Sequence, residues 1–197
     1  FYGSGKIIGQ ALIKHPSVKA AGFTGSRNAG RLLFNIASNR QEPIPFFAEM
    51  GSINPTIIFP NVLKKKSKEI ASALADSINL GAGQFCTNPG LILIIKTKEN
   101  DRFFNYLNDA ISVSQPSVML NEKICESYES NKKNLLDDPD VTLLAESAIN
   151  NDNLNIGLPT IAYVDADKFL QNSELSNEIF GPFSLVVLCS DRKELQE

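Results

Sequence analysis

Short apolar runs alternate with amphipathic stretches along most of the 197 residues, and that alternation restricts the fold more than any other feature of the chain. Residues 5–14 set Ile7, Ile8, Leu12 and Ile13 on one helical face, and His15-Pro16 ends the repeat. Residues 18–23 are short, apolar and bounded by turn formers, which predicts a buried strand. Thr24-Gly25-Ser26 supplies a turn and a helix cap, helical spacing resumes over 27–39, and 44–48 is again strand-like. The same alternation continues with a strand at 56–59, a helix at 65–80, a break at Gly81-Ala82-Gly83 and a strand at 91–96. Helices at 99–112 and 120–136, strands at 141–145, 158–164 and 183–189, and a helix at 165–171 complete it, with Asn150 to Asn155 as a surface loop. Strands that alternate with helices pack as a parallel sheet, so the predicted fold class is α/β.

Several function classes are excluded on composition. A net charge of -3 with no basic face gives nucleic acid nothing to bind. Lys64, Lys65 and Lys66, with Lys68 nearby, read as the solvated entry to a helix rather than a phosphate or partner site. No apolar run approaches the ~20 residues that span a bilayer, so no membrane segment is expected. The chain opens on Phe1 rather than Met, which leads us to expect that the true N-terminus, with any targeting segment, is absent. Cys86, Cys125 and Cys189 are too far apart for a disulfide framework or a zinc site, and no metal is expected. Free thiols suit a reducing, cytoplasmic setting. His15 is the single histidine, so no mechanism here uses two.

Gly3-Ser4-Gly5-Lys6 resembles the tail of a phosphate-binding loop, but Ile7 stands where Ser or Thr would hold magnesium. Gly9 falls one position late for a dinucleotide fingerprint. Alone, the segment is a glycine-rich helix start that lets backbone approach a ligand or a neighbouring strand.

Two residues carry candidate chemistry. Cys86, in Gly83-Gln84-Phe85-Cys86-Thr87-Asn88-Pro89-Gly90, follows a helix-breaking stretch, so its thiol sits on a loop whose N–H groups can activate it and bind an oxyanion. The alternative is a buried cysteine acting as a small hydrophobe. Glu49, in Phe47-Ala48-Glu49-Met50-Gly51-Ser52, ends an apolar strand whose flanking side chains would desolvate it into the range of a general base. The alternative is an exposed strand-end carboxylate.

Four motifs read in order bear on this choice: H-P-x-V-x-x-x-x-F-T-G-S, A-E-M-G, G-Q-x-C and N-E-I-F-G-P. In this order and spacing they resemble the aldehyde dehydrogenase superfamily over essentially the whole chain. P-I-P-F-F-A-E-M-G-S-I-N-P and G-Q-F-C-T-N-P-G-L look like the subgroup with α-ketoglutaric semialdehyde (2,5-dioxovalerate) dehydrogenase and an NADP-dependent fatty aldehyde dehydrogenase. Ser52, where most members have a second glycine, and Asn88-Pro89 depart from the wider family in the subgroup's manner; Asn177 replaces the first Glu of E-E-I-F-G-P.

The resemblance implies an aldehyde dehydrogenase-like fold, with 1–50 closing a Rossmann-like NAD(P)-binding domain and 51–197 forming part of an α/β catalytic domain. It implies that Cys86 attacks a small-molecule aldehyde, that its N–H holds the oxyanion, that NADP or NAD accepts hydride, and that Glu49 activates the water that hydrolyses the thioester. Gly25 and Ser26 would lie at the cofactor loop, Gly5 and Lys6 on its adenosine side, Met50 and Gly51 near the nicotinamide. Glu178 would bind ribose hydroxyls with Phe180 packed beside it. His15, Cys125 and Cys189 match no catalytic position and are assigned to structure. The resemblance further implies an interior piece of a homo-oligomeric parent, inactive alone, acting on α-ketoglutaric semialdehyde or an aliphatic aldehyde. Two rivals remain: acyl transfer to coenzyme A, against which Glu49 argues, and a non-catalytic remnant or structural paralogue.

Overall fold

The computed structural model describes residues 5–149 and 153–197, and of Lys6 the backbone alone. Gly3 and Ser4 of the glycine-rich opening, and residues 150–152 of the expected loop, lie outside the described residues. Packing divides the chain into two compact units, Phe1–Gly51 and Ser52–Glu197.

The first unit runs α1 (Gly5–Lys14), β1 (Ala21–Gly25), α2 (Arg27–Ser38) and β2 (Phe46–Met50), with β1 and β2 paired in parallel and Thr24 opposite Glu49. α2 starts where it does because Ser26 is extended and its hydroxyl accepts the Ala29 N–H at 3.3 Å, satisfying one of the amides a helix start leaves open. Its apolar side packs Leu33, Ile36 and Ala37 against Ile13, Ile44 and Phe46. Along β2, Phe46, Ala48 and Met50 are half-buried while Phe47 and Glu49 are exposed, the period-2 alternation of a strand covered on one face.

Both strands begin two or three residues later than the spacing predicts, for a side-chain reason. The Arg40 guanidinium donates to the carbonyls of Ile13 (2.9 Å), Val18 (2.8 Å) and His15 (3.1 Å), holding 15–18 as a loop after α1, so the strand expected from 18 opens at Ala21. Ile44 donates its N–H to Ala37 at the end of α2, so the strand expected at 44–48 opens at Phe46. Gly25 is therefore a strand residue rather than part of a turn.

The second unit contains β3 (Pro55–Ile58), α3 (Pro60–Asn79), β4 (Leu91–Ile95), α4 (Asn100–Ser112), β5 (Ser117–Val118), α5 (Glu122–Leu136), β6 (Thr142–Glu146), β7 (Ile156–Gly157), β8 (Thr160–Asp165), α6 (Ala166–Gln171) and β9 (Phe183–Cys189). Its main sheet has the order β3-β4-β9-β8-β6, parallel except for β6. Ile92, Ile94, Ile161 and Val186 face α3 and α4, meeting Leu63, Ile78, Phe103 and Leu107. Leu91, Leu185, Val187 and Cys189 face the other way, toward Tyr128, Leu135 and Ala166 of α5 and α6. With both faces covered, the central strands need no polar alternation, which is why 91–95 and 185–189 read as continuous apolar runs.

α3 begins at Pro60, five residues before the expected start, because proline suits a helix's first turn. Lys64, Lys65 and Lys66 are exposed within it, and Lys66 marks a kink at φ -137°. The β5–β7 pair and the 3₁₀ turns at Leu80–Gly83, Ser173–Ser176 and Glu194–Gln196 were not expected, being too short to show a period. Among the described residues no helix is long and apolar enough to cross a membrane.

Candidate active site

The turn that carries Cys86 is shaped by what precedes it. After α3, Gly81 (φ 58°), Ala82 (φ 55°) and Gly83 (φ 65°) adopt left-handed backbone and throw the chain off the helix axis. From there six consecutive carbonyls are each held. Phe85 accepts the Asn88 N–H (3.0 Å), Cys86 the Ser52 hydroxyl (2.6 Å) and Thr87 the Asn54 side-chain amide (2.6 Å). Asn88 accepts the Gly90 N–H (2.8 Å), Pro89 the Ser184 hydroxyl (2.5 Å) and Gly90 the Leu185 N–H (3.0 Å). The Asn88 amide also donates to Gly181 (3.2 Å) and Phe183 (3.3 Å), tying the turn to the start of β9.

In a trans peptide the N–H points opposite the carbonyl, so holding the Phe85 and Cys86 carbonyls fixes the directions of the Cys86 and Thr87 N–H groups. The turn's own hydrogen bond uses the Asn88 N–H and engages neither of them. The Cys86 side chain is exposed. An exposed thiol beside two adjacent, fixed amides is an arrangement that can attack a carbonyl carbon and hold the oxyanion that forms.

Ser52, Phe85, Asn88, Glu178 and Phe180 help to line a narrow cleft of about 380 Å³, whose interior has space for about one water (≈ 20 Å³). Any larger ligand would lie across its mouth. Glu178 is half-buried there; burial pushes its carboxyl above the ordinary glutamate range, and the facing Ser52 N–H works the other way. The turn beyond it is packed without slack. A side chain at Gly181 would meet the Tyr128 ring at 2.2 Å, and one at Gly83 would meet the Gly181 carbonyl oxygen at 2.1 Å. The Tyr128 hydroxyl donates to Leu158 (2.6 Å) and Pro182 (3.3 Å), and Lys132, itself buried, stands over the Tyr128 ring while pairing with Glu146 at 2.9 Å.

The remaining expected residues lie in the first unit. Glu49 is exposed opposite Thr24, and Phe47 shares its face. Ala48 and Met50 point to the other face, so they do not supply the enclosure expected from Glu49's sequence neighbours. Met50 instead packs its sulfur against Gly30 of α2, where an added side chain would meet it at 2.2 Å. Gly51 is left-handed (φ 67°), and its N–H extends the β1–β2 pairing to Gly25 at 3.3 Å. Gly5 and Lys6 open α1. Cys125 is half-buried with its thiol toward the Ile156 carbonyl (3.5 Å), and Cys189 is buried in the core; burial raises both thiols.

The profile of the aldehyde dehydrogenase family matches residues 1–197. The chain belongs to that family. It is 41% identical over 193 residues to alpha-ketoglutaric semialdehyde dehydrogenase 2 of Azospirillum brasilense, covering 98% of this chain and 37% of the relative. It is 39% identical over 192 residues to alpha-ketoglutaric semialdehyde dehydrogenase of Acinetobacter baylyi, covering 97% and 36%. The chain thus spans little more than a third of the length of these relatives. In fold it is similar to the aldehyde dehydrogenase KauB from Pseudomonas aeruginosa, with a TM-score of 0.81 at 23% identity over 98% of this chain and 40% of that one. An NAD-dependent benzaldehyde dehydrogenase from Corynebacterium glutamicum gives 0.77 at 20% over 98% and 41%.

In this aldehyde dehydrogenase chain, the second unit carries Cys86 as well as Glu178 and Phe180, which line the cleft with Phe85, and the first carries Gly5, Lys6, Gly25, Ser26, Glu49, Met50 and Gly51. Ser52, Asn54, Asn88 and Ser184 hold the Cys86 turn, and no sequence motif marks them for that part. The available signal was their type: Ser and Asn satisfy backbone groups wherever helix and sheet ladders stop.

The environment of Glu178 has a measurable consequence. With its pKa raised on folding, the native state holds this proton more tightly than the unfolded chain. Its contribution to stability is therefore present at low pH and is lost as pH rises through and above the ordinary glutamate range. Glu178→Gln removes that dependence. In thermal unfolding of the complete enzyme, its melting temperature should gain on the parent's between about pH 4 and pH 7. A difference that stays constant across that range would show that Glu178 is not desolvated.

Proposed function

We propose that this chain carries the nucleophile and general base of an aldehyde dehydrogenase that converts an aldehyde to a carboxylic acid with NADP or NAD. The observation that carries the reading is the Cys86 turn, which presents an exposed thiol beside two fixed N–H groups that no acceptor among the described residues takes up. Cys86 as thiolate attacks the aldehyde carbonyl, forming a thiohemiacetal whose oxyanion its own N–H holds. A bound dinucleotide would supply the hydride acceptor, and Cys86 would keep the acyl group as a thioester once the hydride has left. Glu49 then accepts a proton from the water that attacks the thioester, releasing the acid and regenerating the Cys86 thiolate.

The residues present fit a dinucleotide. The start of α2, next to Gly25 and capped by Ser26, offers helix N-terminal amides of the kind that receive a pyrophosphate. The Glu178 carboxylate at the cleft mouth, with Phe180 near it, has two acceptor oxygens for ribose hydroxyls. Met50 and Gly51 would stand by the nicotinamide, and Gly5 with Lys6 on the adenosine side. The first unit would then be the end of the cofactor domain and the second a part of the catalytic domain. The complete, homo-oligomeric enzyme would be cytoplasmic, and residues 1–197 alone inactive. The two relatives near 40% identity favour α-ketoglutaric semialdehyde as substrate, with an aliphatic aldehyde next.

Glu49→Gln in the complete enzyme tests the division of roles. Steady-state acid release should fall about 10²- to 10⁴-fold. One equivalent of reduced cofactor should still form in a burst, and mass spectrometry should find the acyl group on the peptide bearing Cys86. Acid release within ten-fold of the parent, or an acyl group elsewhere, would refute the assignment.

A further inference from the structure

We propose that Ser52 is a positioning residue for Cys86, its hydroxyl holding the one peptide plane that aims the thiol at the reacting carbon and the Thr87 N–H at the oxygen on it. The inference rests on the reading of Cys86 as nucleophile. The Ser52 hydroxyl reaches the Cys86 carbonyl at 2.6 Å from 34 residues earlier in the chain. The planes on either side are held independently, the one before through the Asn88 N–H and the one after through Asn54. Removing the hydroxyl therefore frees only the Cys86–Thr87 plane. The flanking bonds keep the turn in place, but the freed plane can rotate, swinging the Thr87 N–H and reorienting the thiol. The Ser52 N–H faces the Glu178 carboxylate and would remain in Ser52→Ala, so the ribose side of the site keeps its partner. A glycine here could not supply this hydroxyl.

The complete enzyme should be compared as parent, Ser52→Ala and Ser52→Thr. Misplacing a nucleophile by up to about 1 Å costs up to about 100-fold in rate, so kcat of Ser52→Ala should fall about 10- to 100-fold. KM for aldehyde and dinucleotide should stay within about two-fold, because the Ser52 N–H that faces Glu178 is retained. The rate of Cys86 alkylation, followed against pH, should change in Ser52→Ala, and Ser52→Thr, which restores the hydroxyl, should return both it and kcat toward the parent. A kcat within two-fold of the parent, a loss not rescued by threonine, or a Ser52→Ala protein that unfolds would each overturn the proposal. Cys86→Ser, run beside them, separates the two inferences. If it keeps aldehyde oxidation, the nucleophile is misassigned; if it is inactive while Ser52→Ala matches the parent, only the positioning role fails.

Discussion

Cys86→Ser in the complete enzyme is expected to lower kcat for aldehyde oxidation at least ~10³-fold, with the melting temperature unchanged. The two halves of that expectation have separate causes. Serine keeps nearly the shape of cysteine but is a far weaker nucleophile at neutral pH, because little of it ionises. The turn itself does not depend on the thiol. Its six held carbonyls bond to Ser52, Asn54, Ser184 and backbone N–H groups, and the Cys86 side chain is exposed. The amides that would hold the oxyanion therefore stay where they are, and what is lost is bond formation alone. Stopped-flow measurement of reduced cofactor should show the burst abolished while dinucleotide binding persists. Activity within ten-fold of the parent would place the nucleophile elsewhere.

Gly83→Ala should have the largest effect on stability. Its φ of 65° is left-handed, which costs an L side chain about 1 kcal/mol or more. The larger penalty is steric, since the new Cβ would lie 2.1 Å from the Gly181 carbonyl oxygen and 2.4 Å from the Pro182 nitrogen. Both are backbone atoms, and that backbone cannot retreat. Gly181 sits against the Tyr128 ring, and its carbonyl accepts from Asn88 and Phe183; the Pro182 carbonyl accepts the Thr160 N–H at 2.9 Å. A destabilisation above ~4 kcal/mol follows, a fall of roughly ten degrees or more in melting temperature. Gly9→Ala is the matched control. It lies inside α1, where the added methyl meets only Leu33 at 3.7 Å, and it should stabilise by about 0.5–1 kcal/mol. A Gly83→Ala protein that melts with the parent would mean that the 83–181 contact is looser than it stands here.

The α/β class was legible because the central strands announce themselves: 91–95 and 185–189 are apolar on both faces, as only a doubly covered sheet permits. The starts of β1 and β2 were not, because Arg40 decides where the loop ends by bonding carbonyls 22 to 27 residues away, and no local pattern records that. Cys86 stood out through its glycine-rich context. The residues that hold its turn did not, since Ser52 and Asn54 are 34 and 33 residues distant and look like ordinary loop residues in the sequence. Glu49 shows a different limit. Its sequence neighbours Ala48 and Met50 are apolar, but strand alternation turns them away from it, so adjacency in sequence was a poor guide to its surroundings.

The sheet order also bears on how the protein is made. β9 leaves the ribosome after every other described strand of the second unit, and it occupies the middle of the sheet, between β4 and β8. At about 5–20 residues per second, β4 emerges roughly 5–20 s before the strand that must lie beside it. Throughout that interval its five-residue apolar run Leu91–Ile95 has an open hydrogen-bonding edge, the kind of surface on which nascent chains aggregate. Synthesis of this chain therefore passes through a stage that a holdase chaperone would protect, a stage that ends only when residues 183–189 slot into place.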